Sequence, residues 1–343
     1  MPDPRTASRP TGGWARRGLA LAAVGALLFA LTACGGDDDD SADGGTDTTE
    51  TTAGEELTPI KVGILPLAGL APLYYGIEQG YFADEGLDVT TEIGQGGAQL
   101  APAVLNNDYQ FAVGEYLSIM QARENNVGIQ VVSNLTNAAD GPDQGINALL
   151  AKADSGIEGP ADLAGKTIAL NGLGGMEEVA VRAILDEEGI DASGVEFVEI
   201  PFPDMNAAVE AGEVDLAAQP EPFVTLGEQA GLVNVLDPFY EAIPGMPLGL
   251  FFGSEEWLAD NPDLAEAFVR ALDRSIEASS DTEAMKEAIV ANTDTDAELA
   301  DEIALDHWVS EIDRDKLTTM GELATRYGAL EEEPNLDELI WTG

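Results

Sequence analysis

Hydrolysis or acyl transfer by a serine or cysteine nucleophile needs a base beside the attacking group, and this chain offers almost none. It contains one histidine, His307, and one cysteine, Cys34. His307 sits beside Trp308 in a stretch read as a late helix, far from every glycine-rich loop, which assigns it a structural place. No Ser–His–Asp or Cys–His set can be assembled from these residues. Carboxylates are abundant, 64 Asp and Glu against 15 Lys and Arg, yet no cluster has the spacing of a zinc or EF-hand site. No metal, cofactor or catalytic residue is therefore expected. A glycoside-hydrolase pair is defined by a distance in space, so the sequence leaves that one chemistry open. Two glycine motifs imitate nucleotide sites and fail. Gly165-Lys166-Thr167 resembles the end of a phosphate loop, but Pro160 stands where its first glycine belongs, and the run enters a strand rather than a helix. Gly172-x-Gly174 lacks the third glycine of a dinucleotide fingerprint, because Glu177 occupies that position.

What remains is chemistry of binding. Three small-residue loops each follow a predicted strand: Ala68, Gly69 and Leu70; Gln95, Gly96 and Gly97; and Asn171 with Gly174 and Gly175. Residues without bulk let backbone groups approach a ligand, and the last two loops open helices whose first N–H groups are free to hold a carbonyl or an anion. A single glycine cluster reads equally well as an ordinary turn; three of them, each after a strand, favour a site. Tyr75, Tyr116, Met176 and Phe202 lie at or near these loops and could stack on a flat ligand. The same loops carry Glu115, Glu177, Asp204 and Glu221 but no Arg or Lys. At roughly 4–6 Å, with an effective dielectric near 20, each carboxylate would oppose an anion by about 3–4 kcal/mol. The expected guest is therefore a neutral or cationic nitrogen compound resembling an aminopyrimidine.

The elements that must position these residues alternate in α/β fashion. Ile60–Leu65 is a buried strand, Pro72 sits in the first turn of a helix Leu73–Gln79, and Gly80 stops it. Strands follow at Leu87–Ile93, Phe111–Gly114 and Ile129–Ser133, with helices at Ala98–Asn106 and Leu117–Asn125. Ala148–Lys152 is expected to be a first hinge strand. A second set then begins: strand Thr167–Leu170, helix Met176–Glu188, strand Val195–Ile200, loop Pro201–Asn206, helix Ala207–Ala211 and strand Val214–Ala218. Leu248–Gly253 reads as the returning hinge strand. From there to Tyr327 the pattern is helical, and Asp337–Trp341 is a last helical turn against the first lobe. The chain thus divides into lobe one (58–149 plus 249–343) and lobe two (150–248), two α/β lobes joined by two hinge strands, with a crevice between them.

The N-terminal segment has a different purpose. Arg5, Arg9, Arg16 and Arg17 precede an apolar run, Leu19–Leu31, that is short for a bilayer span. Leu31-Thr32-Ala33-Cys34 resembles a bacterial lipobox, so residues 1–33 read as a lipoprotein signal peptide and Cys34 as the lipidated residue. Residues 34–58 are rich in Asp, Gly and Thr and read as a disordered acidic tether. Removing the signal segment, with its net +3, takes the chain from −49 to −52. Such acidity argues against nucleic acid or an anionic membrane as a partner.

Several motifs also resemble one family. "APLYYGIEQGYFADEGLDV" (71–89) resembles the opening of ABC-importer solute-binding proteins of the nitrate/sulfonate/taurine/thiamine-precursor type. "NNDYQFAVGEYLSIM", "ADLAGKTIAL" and "AAVEAGEVDLAAQPEPF" resemble its later signatures. The resemblance implies a two-lobed, type II periplasmic-binding-protein-like fold without enzymatic activity. It implies a monomer on the extracytoplasmic face of the membrane, held there by its lipid, that delivers a small solute to an ABC permease and ATPase. Two alternatives stay open: a sulfonate, taurine or nitrate receptor of the same family, and an enzyme of pyrimidine synthesis for thiamine.

Overall fold

The computed structural model describes residues 57–94, 97–141 and 145–343. The segment read as a signal peptide, Cys34, nearly all of the tether, and Gln95 and Gly96 lie outside the described residues. Among those residues no helix is long and apolar enough to cross a membrane.

The described residues form twelve strands: β1 (Thr58–Ile64), β2 (Leu87–Ile93), β3 (Phe111–Glu115), β4 (Ile129–Asn134), β5 (Thr136–Asn137), β6 (Asn147–Lys152), β7 (Thr167–Leu170), β8 (Glu196–Glu199), β9 (Leu216–Pro220), β10 (Leu232–Leu236), β11 (Gly249–Ser254) and β12 (His307–Trp308). They form two five-stranded sheets, ordered β2-β1-β3-β11-β4 and β10-β6-β9-β7-β8, and a small pair, β12-β5. In each sheet one strand runs against its neighbours: β11 pairs antiparallel with β3 and β4, and β6 with β9 and β10. These two strands are the ones the chain enters immediately after passing from one sheet to the other. Each crossing arrives at the edge where the parallel strands end, so the incoming strand has to run the opposite way.

The passage itself is a ladder. The Ala138 N–H donates to the Met246 carbonyl (2.7 Å), Leu248 to Thr136 (2.8 Å), Leu135 to Gly249 (2.8 Å) and Gly245 to Ala139 (2.8 Å). The two crossing segments therefore satisfy each other's backbone groups, as buried backbone must. On the outer side β12 pairs with β5, His307 opposite Asn137 and Trp308 opposite Thr136. This corrects the helical reading of His307. A two-residue strand has no periodicity of its own and exists because β5 offers it an edge.

Side-chain alternation divides the second sheet into two cores. Ala148 and Leu150 of β6 face one cluster, with Met205 and Val209; Leu149 and Ala151 face the other, with Val181 and Leu185. Beneath the first sheet lies the helix Pro262–Glu277, whose Ala265, Phe268, Leu272 and Ile276 recur at three- and four-residue spacing and are buried. The Phe268 ring stacks on Phe111 (4.1 Å between centroids) and meets Phe82 (5.4 Å) and Phe251 edge-on (5.6 Å). Several boundaries shift by a residue or two, and one expected loop is absent. Pro201–Asn206 is not a loop; the helix already begins at Phe202 and runs to Ala211, because Pro203 is tolerated in a first turn that needs no N–H.

Phe268 is fully buried among three other aromatic rings. Phe268→Ala should therefore cost about 3–5 kcal/mol of stability. Urea denaturation measures it, and a loss below about 1 kcal/mol would contradict this packing.

Candidate functional site

The C-terminal ends of β1, β3, β7, β8 and β9 lead into the wall of a single cavity of about 590 Å³, whose lining comes from both sheets. In α/β sheets this edge is where ligands sit, and the volume suits a small organic molecule. The wall is mostly apolar, with Leu65, Leu70, Val113, Ile119, Met176, Phe202, Phe239 and Phe252 among its residues.

Of the residues singled out from sequence, Gly69, Leu70, Glu115, Asn171, Gly175, Met176, Glu177 and Glu221 line this cavity, as does Phe202. Others do not. Ala68 is packed with Ala71, Met285 and Ile289 in a separate apolar cluster. The Tyr75 ring lies edge-on to Tyr81 (5.9 Å), behind the wall. Tyr116 is wholly buried, and its hydroxyl donates to Asn134 Oδ1 (3.0 Å), so it holds β4 rather than a guest. Asp204 points outward from the helix Phe202–Ala211 into solvent. Gly174 accepts from Gln121 Nε2 through its carbonyl (2.8 Å), a strut between the two bodies. Gly97 is the first residue of the helix Gly97–Leu105, and its relation to the cavity lies outside the described residues.

Five carboxylates line the cavity: Glu115, Glu177, Glu199, Glu221 and Asp306. Among the described residues no Lys, Arg or His does, and no group of three or more His, Cys, Asp or Glu could hold a metal ion. Glu199 is exposed at the rim. The other four fall into two pairs. Glu115 caps the helix Tyr116–Glu124, accepting from the N–H groups of Leu117 (3.0 Å) and Ser118 (2.8 Å) and from the Ser118 hydroxyl. Despite these donors, burial and then the nearby charge of Glu177 push its carboxyl up to about 7. Burial raises Glu177 as well. In the second pair, Glu221 is only 4% exposed and accepts from Thr225 N–H (3.1 Å), Thr225 Oγ1 (2.9 Å) and Ala304 N–H (3.2 Å). Burial raises it nevertheless. Burial, reinforced by the charge of Glu221, raises Asp306 to about 7.

Asp306 escaped the sequence reading. It precedes β12, which brings it to the first loop: a Cβ on Gly69 would stand 2.9 Å from Asp306 Oδ1, and Trp308 Nε1 donates to the Gly69 carbonyl (2.8 Å). Its only signal was a lone charge in the apolar run Ile303–Trp308, and a buried charge in such a run is the informative case. Asn147 was also missed. It lines the cavity at 8% exposure, and its Nδ2 has no hydrogen-bond partner.

Two facing α/β bodies, a crossing ladder and a shared cavity define the periplasmic-binding-protein fold. The chain belongs to the family described as NMT1/THI5 like, which it matches over residues 68–282. It is 30% identical over 220 residues to the riboflavin-binding protein RibY of Chloroflexus aurantiacus, covering 62% of this chain and 59% of that protein. It is 21% identical over 202 residues to the formylaminopyrimidine-binding protein of Halalkalibacterium halodurans, covering 58% and 59%. Among solved structures it is similar to the ligand-binding component of an ABC-type import system from Staphylococcus aureus. That similarity has a TM-score of 0.71 at 15% identity, over 83% of this chain and 96% of the other.

A carboxyl held near 7 in the fold and near 4.5 when unfolded binds a proton only in the folded state between those values. By linkage, stability from this group is present at low pH and is lost as pH rises towards 7. Glu115→Gln keeps one accepting oxygen for Ser118 and loses the bond from Leu117, a cost that does not change with pH. Between pH 5 and pH 8 it should therefore gain on the wild type by roughly 1–2 kcal/mol. Parallel pH curves of the unfolding temperature for the two proteins would contradict the assignment.

Proposed function

We propose that this protein is a lipid-anchored, extracytoplasmic receptor that captures a small organic solute in the cavity between its two lobes and hands it to an ABC permease. The observation that carries this reading is the 590 Å³ cavity, walled by strand ends from both sheets. The lobes, 58–149 with 249–343 and 150–248, turn about the crossing ladder, and solute favours whichever arrangement it touches on both sides. No bond in the solute is broken. His307 does not line the cavity, and no described histidine or cysteine does, which supports a receptor over a pyrimidine-synthesising enzyme.

The solute is a neutral or cationic nitrogen compound with a flat body. An anion such as a sulfonate would face the carboxyls of Glu115, Glu177, Glu221 and Asp306 without a basic residue among the described lining. Relatives named for binding riboflavin and formylaminopyrimidine support a flat, nitrogen-rich guest.

A thermal-shift screen of aminopyrimidines, flavins, organic amines, alkanesulfonates and nitrate tests this, alongside mass spectrometry of the protein as purified. Nitrogen heterocycles or amines should raise the unfolding temperature, with about 2.7 kcal/mol of stabilisation at a hundredfold excess over Kd. Preferential stabilisation by taurine or nitrate would overturn the charge argument, and conversion of a bound compound would overturn the receptor. For the anchor, Cys34→Ser should move the protein from the membrane fraction to the soluble fraction; unchanged membrane retention would refute lipidation at that residue.

A further inference from the structure

Glu221, which is buried, and Glu115, Glu177 and Asp306, which are half-buried, are not scattered over the wall; they form two matched pairs. In each, one carboxyl comes from the body of the first sheet and the other from the second. Glu115 ends β3 and faces Glu177, in the first turn of the helix after β7; Asp306 precedes β12 and faces Glu221, which follows β9. Each pair also has one satisfied and one unsatisfied member. Glu115 and Glu221 each accept three hydrogen bonds from neighbouring residues. Among the described residues, the Glu177 and Asp306 carboxyls have no donor beyond their own backbone N–H.

A small residue keeps the space beside each pair clear. A Cβ on Gly69 would meet Asp306 Oδ1 at 2.9 Å. One on Gly175 would stand 3.4 Å from Glu177 Oε2 and 3.8 Å from Glu115 Oε1, so both oxygens of that pair converge on one point. The rest of the wall is mostly apolar and includes Leu70 and Met176. An independent sign that the wall awaits a polar guest is Asn147. Its amide is more than nine-tenths buried, lines the cavity close to Glu177 and has a donor with nothing to bond. A buried donor without an acceptor is costly, and a solute supplies what the protein lacks.

Two facing carboxyls from separate bodies repel as the bodies approach unless something positive or donating lies between them. One such pair asks for one nitrogen; two pairs at separate places on an apolar wall ask for two. We propose that the cavity is built for an organic solute with an N–H-donating or cationic nitrogen at each of two ends of an apolar body, one end held between Glu115 and Glu177 and the other between Glu221 and Asp306. This rests on the reading of the cavity as the solute site. It narrows that reading from one nitrogen compound among many to a two-headed one.

Isothermal titration of the purified chain with simple aromatic probes tests the inference. The dications 1,4- and 1,3-bis(aminomethyl)benzene are compared with benzylamine, 1,4-benzenedimethanol and terephthalate. The better-fitting dication should bind at least about tenfold more tightly than benzylamine, as expected for one further charge-assisted contact. The diol should bind more weakly than benzylamine, and terephthalate should give no heat. Glu177→Gln and Asp306→Asn, at opposite ends, should each bring the dication down to about the benzylamine affinity, with thermal unfolding confirming that both variants fold. Two variants guard against the loss of either one to misfolding. Dications that bind no better than benzylamine or the diol, or loss of affinity from one variant alone, would overturn the two-headed solute while leaving the receptor intact. Silence from all five probes would overturn it too, and only if the broader solute screen is also silent does the receptor reading fall with it.

Discussion

Segments 135–139 and 245–249 hydrogen-bond to each other as they cross between the sheets, and the whole arrangement depends on that ladder. Because both crossings leave from the edge where parallel strands end, each sheet turns that edge towards the other. The loops that follow β1, β3, β7, β8 and β9 are then delivered to the same hollow, although they are scattered from Leu65 to Glu221 in the chain. The ladder also dictates the one reversed strand in each sheet. β12 completes it from outside, and with it come Asp306 and the indole that holds Gly69 in place.

Placing four carboxyls in such a hollow is costly, and the fold offsets the cost unevenly. Glu115 and Glu221 are each set at the start of a helical turn, where free N–H groups accept little alternative use and favour negative charge. Glu177 and Asp306 have no comparable support among the described residues; burial raises both, and the charge of Glu221 helps to raise Asp306 to about 7. A protein designed only for stability would replace these residues with apolar ones of similar size. In the solute-receptor reading proposed above, the guest completes the energetics of these carboxyls, of the small residues beside them and of the unsatisfied Asn147 amide.

The relatives fit this division between frame and contents. At 15% identity the import-system component from Staphylococcus aureus shares the frame over most of its length. A crossing ladder and two sheets require apolar alternation and small residues at turns, which many sequences provide. The contents depend on a few side chains on loops, which can change without disturbing the cores beneath.

Much of the frame was legible in the chain alone. Strand-like runs bounded by glycines, a proline in a first helical turn and the order strand–loop–helix are local signals, set by backbone preferences of neighbouring residues. They located the loops of Gly69, Glu115, Gly175 and Glu221, because a loop after a buried parallel strand has one edge to occupy. Which side chains turn inward was another matter. Tyr116 was drawn into the core by a partner on β4, Asp204 was carried outward by a helix that starts earlier than its prolines suggest, and Asp306 met Gly69 only because β12 found an edge. Each of those outcomes is a contact between distant parts of the chain, decided by where apolar surface could be buried, and no local pattern records it. Sequence determined the elements and the acidity of the loops between them; only the packed structure decided which acids face one another across the hollow.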